Sequence, residues 1–564
     1  MKKISIFVIL CVLILCVSGC GKTSGLSEIN TAGEEKVEET TILESDRAVD
    51  VCDESAGDEA SLLDVYIKSN YEKSCPEEIA YFTAVVTTSY PKITLGHEDA
   101  KKYPKLQDAL TEYSRKWEKV LQDYKAYLYE RAVEEVFNRG FSSFTNDDYD
   151  KFTQAELHPI EYNSETAALI MRADSKIFSA RTTDYTFIPN EIVKTQYYGT
   201  NFDPKTGESL SIYDVIRDPE PIKDILREEL AKILMDQIDD SQGYAGSYMG
   251  NMELEDLPFT ISYDRLYFYL NNVLEDDAYF VDIIFSDLEG NIKPEYITQE
   301  ERFMLPFTGE MATHFFDGDK EIYVDFYEDL YQDEEIFRYN GYTLSCNGSQ
   351  VKVEGGYDNV VPFLIKLKPD EYYVYMERRL DDYLKKDKDN YAWADIFYIG
   401  DGSKLVYLGE HFMCLGGSFF GEELYESVTQ DPFRLKLYNP TANFGTFDGY
   451  RYYHLDKNGI EPETEYYFFD QNDPRQVYTS LIDFHSDIID ENGDILEEDA
   501  LIPAGTEFRS YRGSEDILFM DFILSDGRIA RVITERGPHH EDLLNLVDAE
   551  ELFGEEIYSY SDKE

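Results

Sequence analysis

Apolar side chains recur with two different periods in residues 76–300, and each period predicts one type of element. From Pro104 onward the steps are three and four residues, which predicts a helix of roughly 30 residues with one buried stripe. This stripe consists of Leu106, Leu110, Tyr113, Trp117, Leu121, Tyr124 and Leu128. A second helix is predicted behind Pro221, with apolar residues at Ile222, Ile225, Leu226, Leu230, Ile233 and Leu234.

The segments around these helices alternate apolar and polar residues, as half-buried strands do. The clearest are residues 259–270 (FTISYDRLYFYL) and 278–288 (AYFVDIIFSDL), and the sequence DPKTG at 203–207 predicts a hairpin turn. Residues 76–300 therefore predict an α+β module, with an antiparallel sheet and two packed helices.

Short aromatic and β-branched runs separated by Gly and Asp turns dominate the rest of the chain. They predict mostly-β domains, an all-β domain over 301–440 and a β-rich C-terminal domain over 441–564. Within the latter, residues 501–535 resemble the order of elements in SH3-like barrels of bacterial surface proteins. That resemblance implies binding to wall peptides or glycans.

The N-terminus has the pattern of an export signal. Lys2 and Lys3 precede an apolar stretch, Ile4–Val17, which is too short to span a bilayer as a helix of about 20 residues. The next residues, Val17-Ser18-Gly19-Cys20, resemble the lipobox of bacterial lipoproteins. This resemblance implies that residues 1–19 are a signal peptide and that Cys20 carries a diacylglycerol. An uncleaved membrane anchor is the alternative.

Residues 20–75 are predicted to be an acidic, disordered tether behind the lipidated cysteine. From Gly21 to Ala60 there are twelve acidic residues, three basic residues and no aromatic ones. Such a segment cannot bury enough apolar area to offset its loss of conformational entropy. The tether would hold the folded part away from the membrane surface.

Composition narrows the range of partners. The formal net charge is −62, so nucleic acid is excluded as a partner, because phosphate binding depends on Lys and Arg. Basic proteins such as a lysozyme-like muramidase would be attracted, although solubility alone also explains an acidic surface. The 46 Tyr and 34 Phe favour strands, and Tyr is also typical of sites that stack on sugar rings.

Four segments resemble, in order, a module of Gram-positive surface proteins. They are MRADSKIFS (171–179), YYGTNFDPKTGESLSIYDVI (197–216), SYDRLYFYL (262–270) and AYFVDIIFSDL (278–288). The module occurs as the non-catalytic domain of a peptidoglycan deacetylase and as the extracellular domain of a lysozyme-sensing anti-sigma factor. It usually has a Gly-Gly-Ala-His-Pro-like loop before the hairpin, and this chain has none there. The resemblance covers residues 76–300 and implies a role at the cell envelope.

Candidate chemical motifs are incomplete. The acidic stretches 317–321 and 490–494 partly match a calcium loop, but Ile322 and Ile495 occupy the position that requires glycine, so turns are expected. His411 with Cys414 lacks the signature of a nucleophile pair, and His539 with His540 lacks a third ligand. We therefore expect no catalytic residue, no metal site and no cofactor.

The sequence as a whole predicts a non-enzymatic lipoprotein on the extracytoplasmic face of the cell membrane. Its ligand would be peptidoglycan, another wall glycan or a basic muramidase. Two alternatives stay open: an accessory or catalytic component of cell-wall glycan modification, and a purely structural lipoprotein. The pairing of Cys52, Cys75, Cys346 and Cys414 also stays open, since four cysteines allow three connectivities.

Overall fold

A computed structural model gives the architecture of most of the chain. It describes residues 61–76, 83–138, 159–189, 192–274, 278–288, 290–297, 302–307, 313–317, 320–333, 336–357, 359–381, 390–400, 404–416, 427–441, 447–469, 476–514, 518–536, 542–545 and 547–554. The expected signal peptide, Cys20 and Cys52 lie outside the described residues.

The first sheet is formed mainly by the N-terminal part of the chain. Its strands there are Val65–Ser74 (β1), Ala84–Leu95 (β2), Ile160–Ala173 (β3), Phe178–Ile188 (β4) and Ile192–Phe202 (β5). Neighbouring strands are antiparallel except for β2 and β3, which are parallel. Between those two the chain forms His97–Lys102 (α1) and Pro104–Asn138 (α2). A helical connection of this length is what a parallel pair needs.

The predicted stripe of α2 packs against this sheet. Leu106, Leu110 and Trp117 are buried in one cluster with residues of β1 to β4, and Leu128 is buried in a second cluster with Ala84 of β2. The helix begins at Pro104, as expected. However, β1 lies inside the range 20–75 that the sequence analysis assigned to the tether. Residues 65–74 are ordered as a strand because Val65 and Ile67 are buried and because β1 pairs with β2 along its whole length.

A second, smaller sheet completes the N-terminal module. The elements are Ile212–Val215 (α3), Glu220–Ile233 (α4), Ser241–Gly250 (α5), Phe259–Ile261 (β6), Arg265–Asn271 (β7), Ala278–Ile284 (β8) and Pro294–Ile297 (α6). Strands β6 to β8 form an antiparallel sheet, and α4 buries Ile222, Leu226 and Leu230 in the same core. The two predicted helices therefore cover two sheets, one helix on each.

The two sheets approach each other closely at Gly199 of β5. A Cβ at this position would lie 1.8 Å from the carbonyl oxygen of Phe259, so only glycine allows the contact. Asn201 Nδ2 donates a hydrogen bond to the same oxygen at 2.9 Å.

Two facing sheets form the middle of the chain. Their strands are Phe303–Pro306 (β9), Thr313–Asp317 (β10), Lys320–Asp333 (β11), Ile336–Cys346 (β12), Ser349–Tyr357 (β13), Asn359–Lys368 (β14), Glu371–Asp381 (β15), Asn390–Ile399 (β16) and Leu405–His411 (β17). Strands β10 to β13 form one sheet, and the other has the order β17-β16-β15-β14-β9. Residues of both sheets share one hydrophobic core, which makes this part a β-sandwich.

The C-terminal part consists of short strands and one short helix. They are Ser427–Thr429 (β18), Leu435–Thr441 (β19), Phe447–Asp456 (β20), Gly459–Pro462 (β21), Tyr466–Phe468 (β22), Val477–Thr479 (β23), Phe484–Ile489 (β24), Ile495–Ile502 (β25), Glu507–Ser514 (β26), Phe519–Leu524 (β27), Ile529–Arg536 (β28), Asp542–Leu544 (β29), Val547–Asp548 (β30) and Ala549–Phe553 (α7).

Most of these strands belong to one open sheet, with the order β19-β20-β22-β26-β27-β28-β24-β25. Its terminal strands, β19 and β25, do not pair with each other, so no closed SH3-like barrel is found in the described part of the chain. The order of elements suggested a barrel, but β22 extends the sheet sideways to β20 instead of closing it. An α+β module followed by mostly-β structure is confirmed.

One strand connects the two ends of the fold. Strand β18 pairs antiparallel with β1, with Val65 opposite Thr429 and Ile67 opposite Ser427. The first sheet therefore has six strands, and its outermost strand comes from the C-terminal part.

Candidate ligand-binding face

One face of the open sheet carries a row of aromatic rings. On β19 and β20, alternate residues such as Leu435, Leu437 and Tyr453 are buried in a core. The residues between them lie on the opposite face of the sheet, because side chains alternate along a strand. With their neighbours on β22, β26 and β27 they form what we call the aromatic ladder: Tyr438, Tyr450, Tyr452, Tyr466, Phe468, Tyr511 and Phe519, all half-buried.

The rings of the ladder contact one another across strands. Tyr450 is central, with ring centroids 5.8 Å from Tyr438, 6.0 Å from Tyr452 and 5.9 Å from Phe468. Phe468 continues to Tyr511 at 6.1 Å, and Tyr466 lies 5.7 Å from Phe519. These separations are typical of interacting aromatic pairs. The row therefore crosses five strands instead of following one.

Cationic side chains lie on the rings. Lys436 Nζ is 3.9 Å from the ring centre of Tyr450, and Arg434 Cζ is 3.7 Å from that of Tyr452. The guanidinium of Arg512 lies within 5.4 Å of both Tyr466 and Tyr511, and so joins the two runs of rings. Such contacts are attractive because the face of an aromatic ring carries partial negative charge.

The arginines are held in place by carboxylates. Asp521, which is fully buried, accepts hydrogen bonds from Arg512 Nε at 2.7 Å and from Arg531 Nε at 2.8 Å. Two guanidinium groups share this carboxylate, so the trio carries net positive charge. At the other end, Arg434 pairs with Glu463 at 2.8 Å, and this hydrogen bond raises the pKa of Arg434. These pairs fix the cations beside the rings.

The ladder ends beside the N-terminal module. Asp64, just before β1, lies near Lys436 and Tyr452, and burial raises the pKa of its carboxyl to about 6. The charge of Asp99 adds to this rise, whereas a hydrogen bond from the Asp431 backbone and the charge of Lys436 oppose it. Arg302 also bridges to Asp431 at 2.8 Å.

The stretch 490–494 forms a turn beside the ladder. The Asp490 carboxylate accepts hydrogen bonds from the backbone N–H groups of Asn492 and Asp494, both at 2.9 Å, and these bonds lower its pKa. The carbonyl oxygen of Glu491 accepts from Arg512 Nη1 at 2.7 Å. The turn expected from the sequence is present, and it supports an arginine of the ladder.

The other candidate residues do not assemble into a site. His411 ends β17, and burial lowers its pKa. Cys414 is buried, and its backbone N–H donates to the carbonyl oxygen of Tyr438 at 3.0 Å. Asp317 ends β10, whereas residues 318 and 319 and the pair His539-His540 lie outside the described residues. Within the residues described, no group of three His, Cys, Asp or Glu side chains could hold a metal ion.

Cysteine positions keep the pairing question open. Cys346 lies in the core of the sandwich, Cys414 lies in a small separate cluster with Ala392, and Cys75 is half-buried at the end of β1.

A second polar cluster lies inside the sandwich. Arg378 and Asp395 pair there, and the hydroxyl groups of Tyr342 and Tyr407 donate to Asp395 at 2.9 Å each. Because Arg378 and Asp395 are almost completely buried, this ion pair supports the fold and is not accessible to a ligand.

Sequence reasoning missed the ladder. Its signal is the alternation in LKLY (435–438) and YRYYHL (450–455), where buried residues alternate with Lys436, Tyr438, Tyr450 and Tyr452. Tyrosine occupies both faces, so residue type alone does not identify the exposed one.

Comparisons with known proteins add little. No protein-family model matches the chain, and no curated protein matches it. A DUF3298 family member from Bacteroides fragilis aligns at 13% identity and a TM-score of 0.29, over 42% of this chain and 95% of that one. A DUF3298 family protein from Pseudomonas aeruginosa aligns at 11% identity and a TM-score of 0.23, over 41% of this chain and 95% of that one. At such TM-scores neither likeness carries an argument about fold or function.

No helix among the described residues has the length and apolar character that a bilayer crossing requires.

Proposed function

We propose that this chain is a lipid-anchored protein of the extracytoplasmic membrane face, and that it binds a cell-envelope glycan through the aromatic ladder. In this proposal it binds the glycan without catalysing a reaction on it. The single observation that carries the proposal is the ladder, a row of half-exposed rings in mutual contact across five strands. The lipobox-like segment ending at Cys20 supports the location.

The shape of the ladder suits a sugar polymer. A sugar ring has an apolar C–H face and a polar rim of hydroxyl groups, and a tyrosine likewise combines an apolar ring with a polar tip. Except for Tyr438, which packs on Ala392 and Cys414, the ladder rings join none of the buried clusters that the described residues form. These rings are therefore partly accessible to solvent on this face of the sheet, beside the cationic side chains that lie on them.

The charge of the ladder narrows the class of glycan. The chain as a whole has 114 acidic and 52 basic residues, yet Arg434, Lys436, Arg512 and Arg531 gather on this face. Arg512, Arg531 and the Asp521 carboxylate that they share together carry one formal positive charge. A glycan that carries carboxylates, as peptidoglycan does, fits this combination. Nucleic acid also stacks on aromatic rings, but the net charge of −62 repels it.

Retention on purified peptidoglycan sacculi tests the proposal. Residues 61–564 are sedimented with sacculi at low and high salt, alongside the double variant Tyr450→Ala/Tyr452→Ala. We expect retention of the wild type at both salts and about 30-fold weaker binding of the double variant, since each of the two ring contacts contributes on the order of 1 kcal/mol. The matched control is Tyr323→Ala/Tyr327→Ala, which removes two exposed tyrosines of β11, a strand that belongs to a different sheet.

Two results would overturn the proposal: no retention of the wild-type protein, or equal retention of the ladder variant and the control. The melting temperature of each variant shows whether a loss of binding reflects unfolding. A parallel experiment with hen lysozyme tests the alternative of a basic protein ligand. Salt-sensitive capture of lysozyme that is equally strong for the wild type and the ladder variant would favour this alternative.

A further inference from the structure

We infer that strand β25 is a docking edge, to which a basic, extended segment of a partner polypeptide adds as a further strand. This inference concerns the opposite end of the open sheet from β19 and is independent of glycan binding. It rests on three observations: the position of β25, its exposed apolar side chains and the charge of its surroundings.

In the described part of the chain, no strand pairs with the outer edge of β25. Among the described residues it pairs with β24 alone and terminates the sheet. The backbone N–H and C=O groups on an outer edge form a template for another strand. Main-chain hydrogen bonds to such an edge are a recurring mode of peptide recognition.

Strand β25 exposes three large apolar side chains. Ile495, Leu496 and Leu501 are 54%, 68% and 53% exposed. On the same strand Ala500 and Ile502 are buried in the core, so the strand is anchored to the domain while its other apolar residues face outward. An added strand would cover them and gain apolar burial as well as hydrogen bonds.

The surrounding charge selects the partner. The segment from Asp483 to Ile502 covers β24, β25 and their turn, and it contains eight acidic residues and no Lys or Arg. Two arginines of neighbouring strands, Arg512 and Arg531, lie beside its turn. Three of the eight, Glu497, Glu498 and Asp499, lie on β25 itself. A second copy of this chain would present the same acidic edge and be repelled. A strand that alternates Lys or Arg with apolar residues is complementary in both charge and hydrophobicity.

A different reading of these residues is edge protection. Charges and bulges on an edge strand hinder association with other strands. Asp499 adopts a positive φ of 52° where the pairing of β24 with β25 is irregular. Protection alone predicts a polar edge, whereas β25 exposes three large apolar side chains. The two readings differ in whether a complementary strand binds.

The experiment uses residues 61–564 of the protein and a fluorescein-labelled, end-capped peptide of seven residues in which Lys and Val alternate. Fluorescence anisotropy measures its affinity, and hydrogen–deuterium exchange with mass spectrometry locates it. We expect binding, with slower exchange in 495–502. We also expect at least tenfold weaker binding of the same peptide when alternate amides are N-methylated, because strand addition needs those N–H groups.

Variants distinguish strand addition at the β25 edge from non-specific electrostatic attraction of the basic peptide. Glu497→Gln/Glu498→Gln should weaken binding about tenfold and reduce its dependence on salt. The control Glu228→Gln/Asp236→Asn removes the same charge from exposed positions on and after α4, and should bind like the wild type. Absent binding, equal binding of the N-methylated peptide, or protection outside 495–502 would each overturn the inference and favour edge protection.

Discussion

The guanidinium of Arg378 and the carboxylate of Asp395 form an ion pair inside the β-sandwich, with Nε 2.7 Å from Oδ2. Their side chains are 3% and 0% exposed, respectively. Arg378 also contacts Glu410, whose side chain is 47% exposed. The same arginine thus has one buried and one half-exposed acidic partner, and the two should contribute very differently to stability.

Replacing the buried partner should be far more damaging. We expect Asp395→Asn to lower the free energy of unfolding by about 3–5 kcal/mol, because it leaves the Arg378 charge inadequately compensated in the core. The control Glu410→Gln should cost less than about 1 kcal/mol, since half-exposed ion pairs contribute little. Urea denaturation of both variants measures the difference. Similar midpoints would show that the burial of Asp395 has no energetic consequence.

Asp64 should make stability depend on pH. Burial raises its pKa to about 6, so the folded state holds this proton more tightly than the unfolded chain does. Stability therefore falls as pH rises from about 4 to about 6, and the full penalty applies above pH 6. We expect Asp64→Asn to raise the free energy of unfolding at pH 7.5 by about 2–3 kcal/mol, and by much less at pH 4.5.

Denaturation curves at the two pH values measure this gain. The control Asp123→Asn, at an exposed position of α2, should show no comparable gain at either pH. If Asp64→Asn were equally stabilising at both, the ionisation of Asp64 would not be its cause.

The pairing of β18 with β1 should stabilise the first sheet. Proline has no N–H to donate and is poorly tolerated between hydrogen-bonded strands. We therefore expect Val428→Pro to accelerate hydrogen exchange in residues 65–74. Val428→Ala keeps the backbone groups and serves as the control. Unchanged exchange in the proline variant would mean that β1 does not need this partner.

Cys20 should determine attachment to the membrane. We expect Cys20→Ala to abolish lipid attachment and release the protein into the medium, because the thioether needs the thiol. Metabolic labelling with palmitate and fractionation of cells and medium measure both effects. Cys16→Ala is the control, since residue 16 would be removed with the signal peptide. Retention of the Cys20 variant at the membrane would contradict the lipobox interpretation.

Elements with a strong local period could be predicted from the sequence. The stripe of α2 repeats every three or four residues over its length, and the structure buries most of it against a sheet. The hairpin of β6 and β7 follows likewise from simple alternation. In both cases the determining residues are close neighbours in the chain.

Two features could not be predicted, for physical reasons. The pairing of β1 with β18 joins segments far apart in sequence, and neither local pattern encodes the register. The aromatic ladder cannot be identified from the sequence, because neighbouring tyrosines lie on opposite faces of the sheet. Tyr452 is half-buried on the outer face, whereas Tyr453 is 4% exposed in the core. Only the sheet topology decides which of the two faces outward.

The β1–β18 pairing also affects the order in which the molecule can be completed. During synthesis β1 is made early, and β18 is made only after the sandwich strands. The outer edge of β1 therefore lacks its pairing strand while the intervening chain is synthesised. A product that stops before residue 427 keeps this edge open, with unpaired N–H and C=O groups that invite aggregation. Only a nearly full-length chain can therefore complete the first sheet.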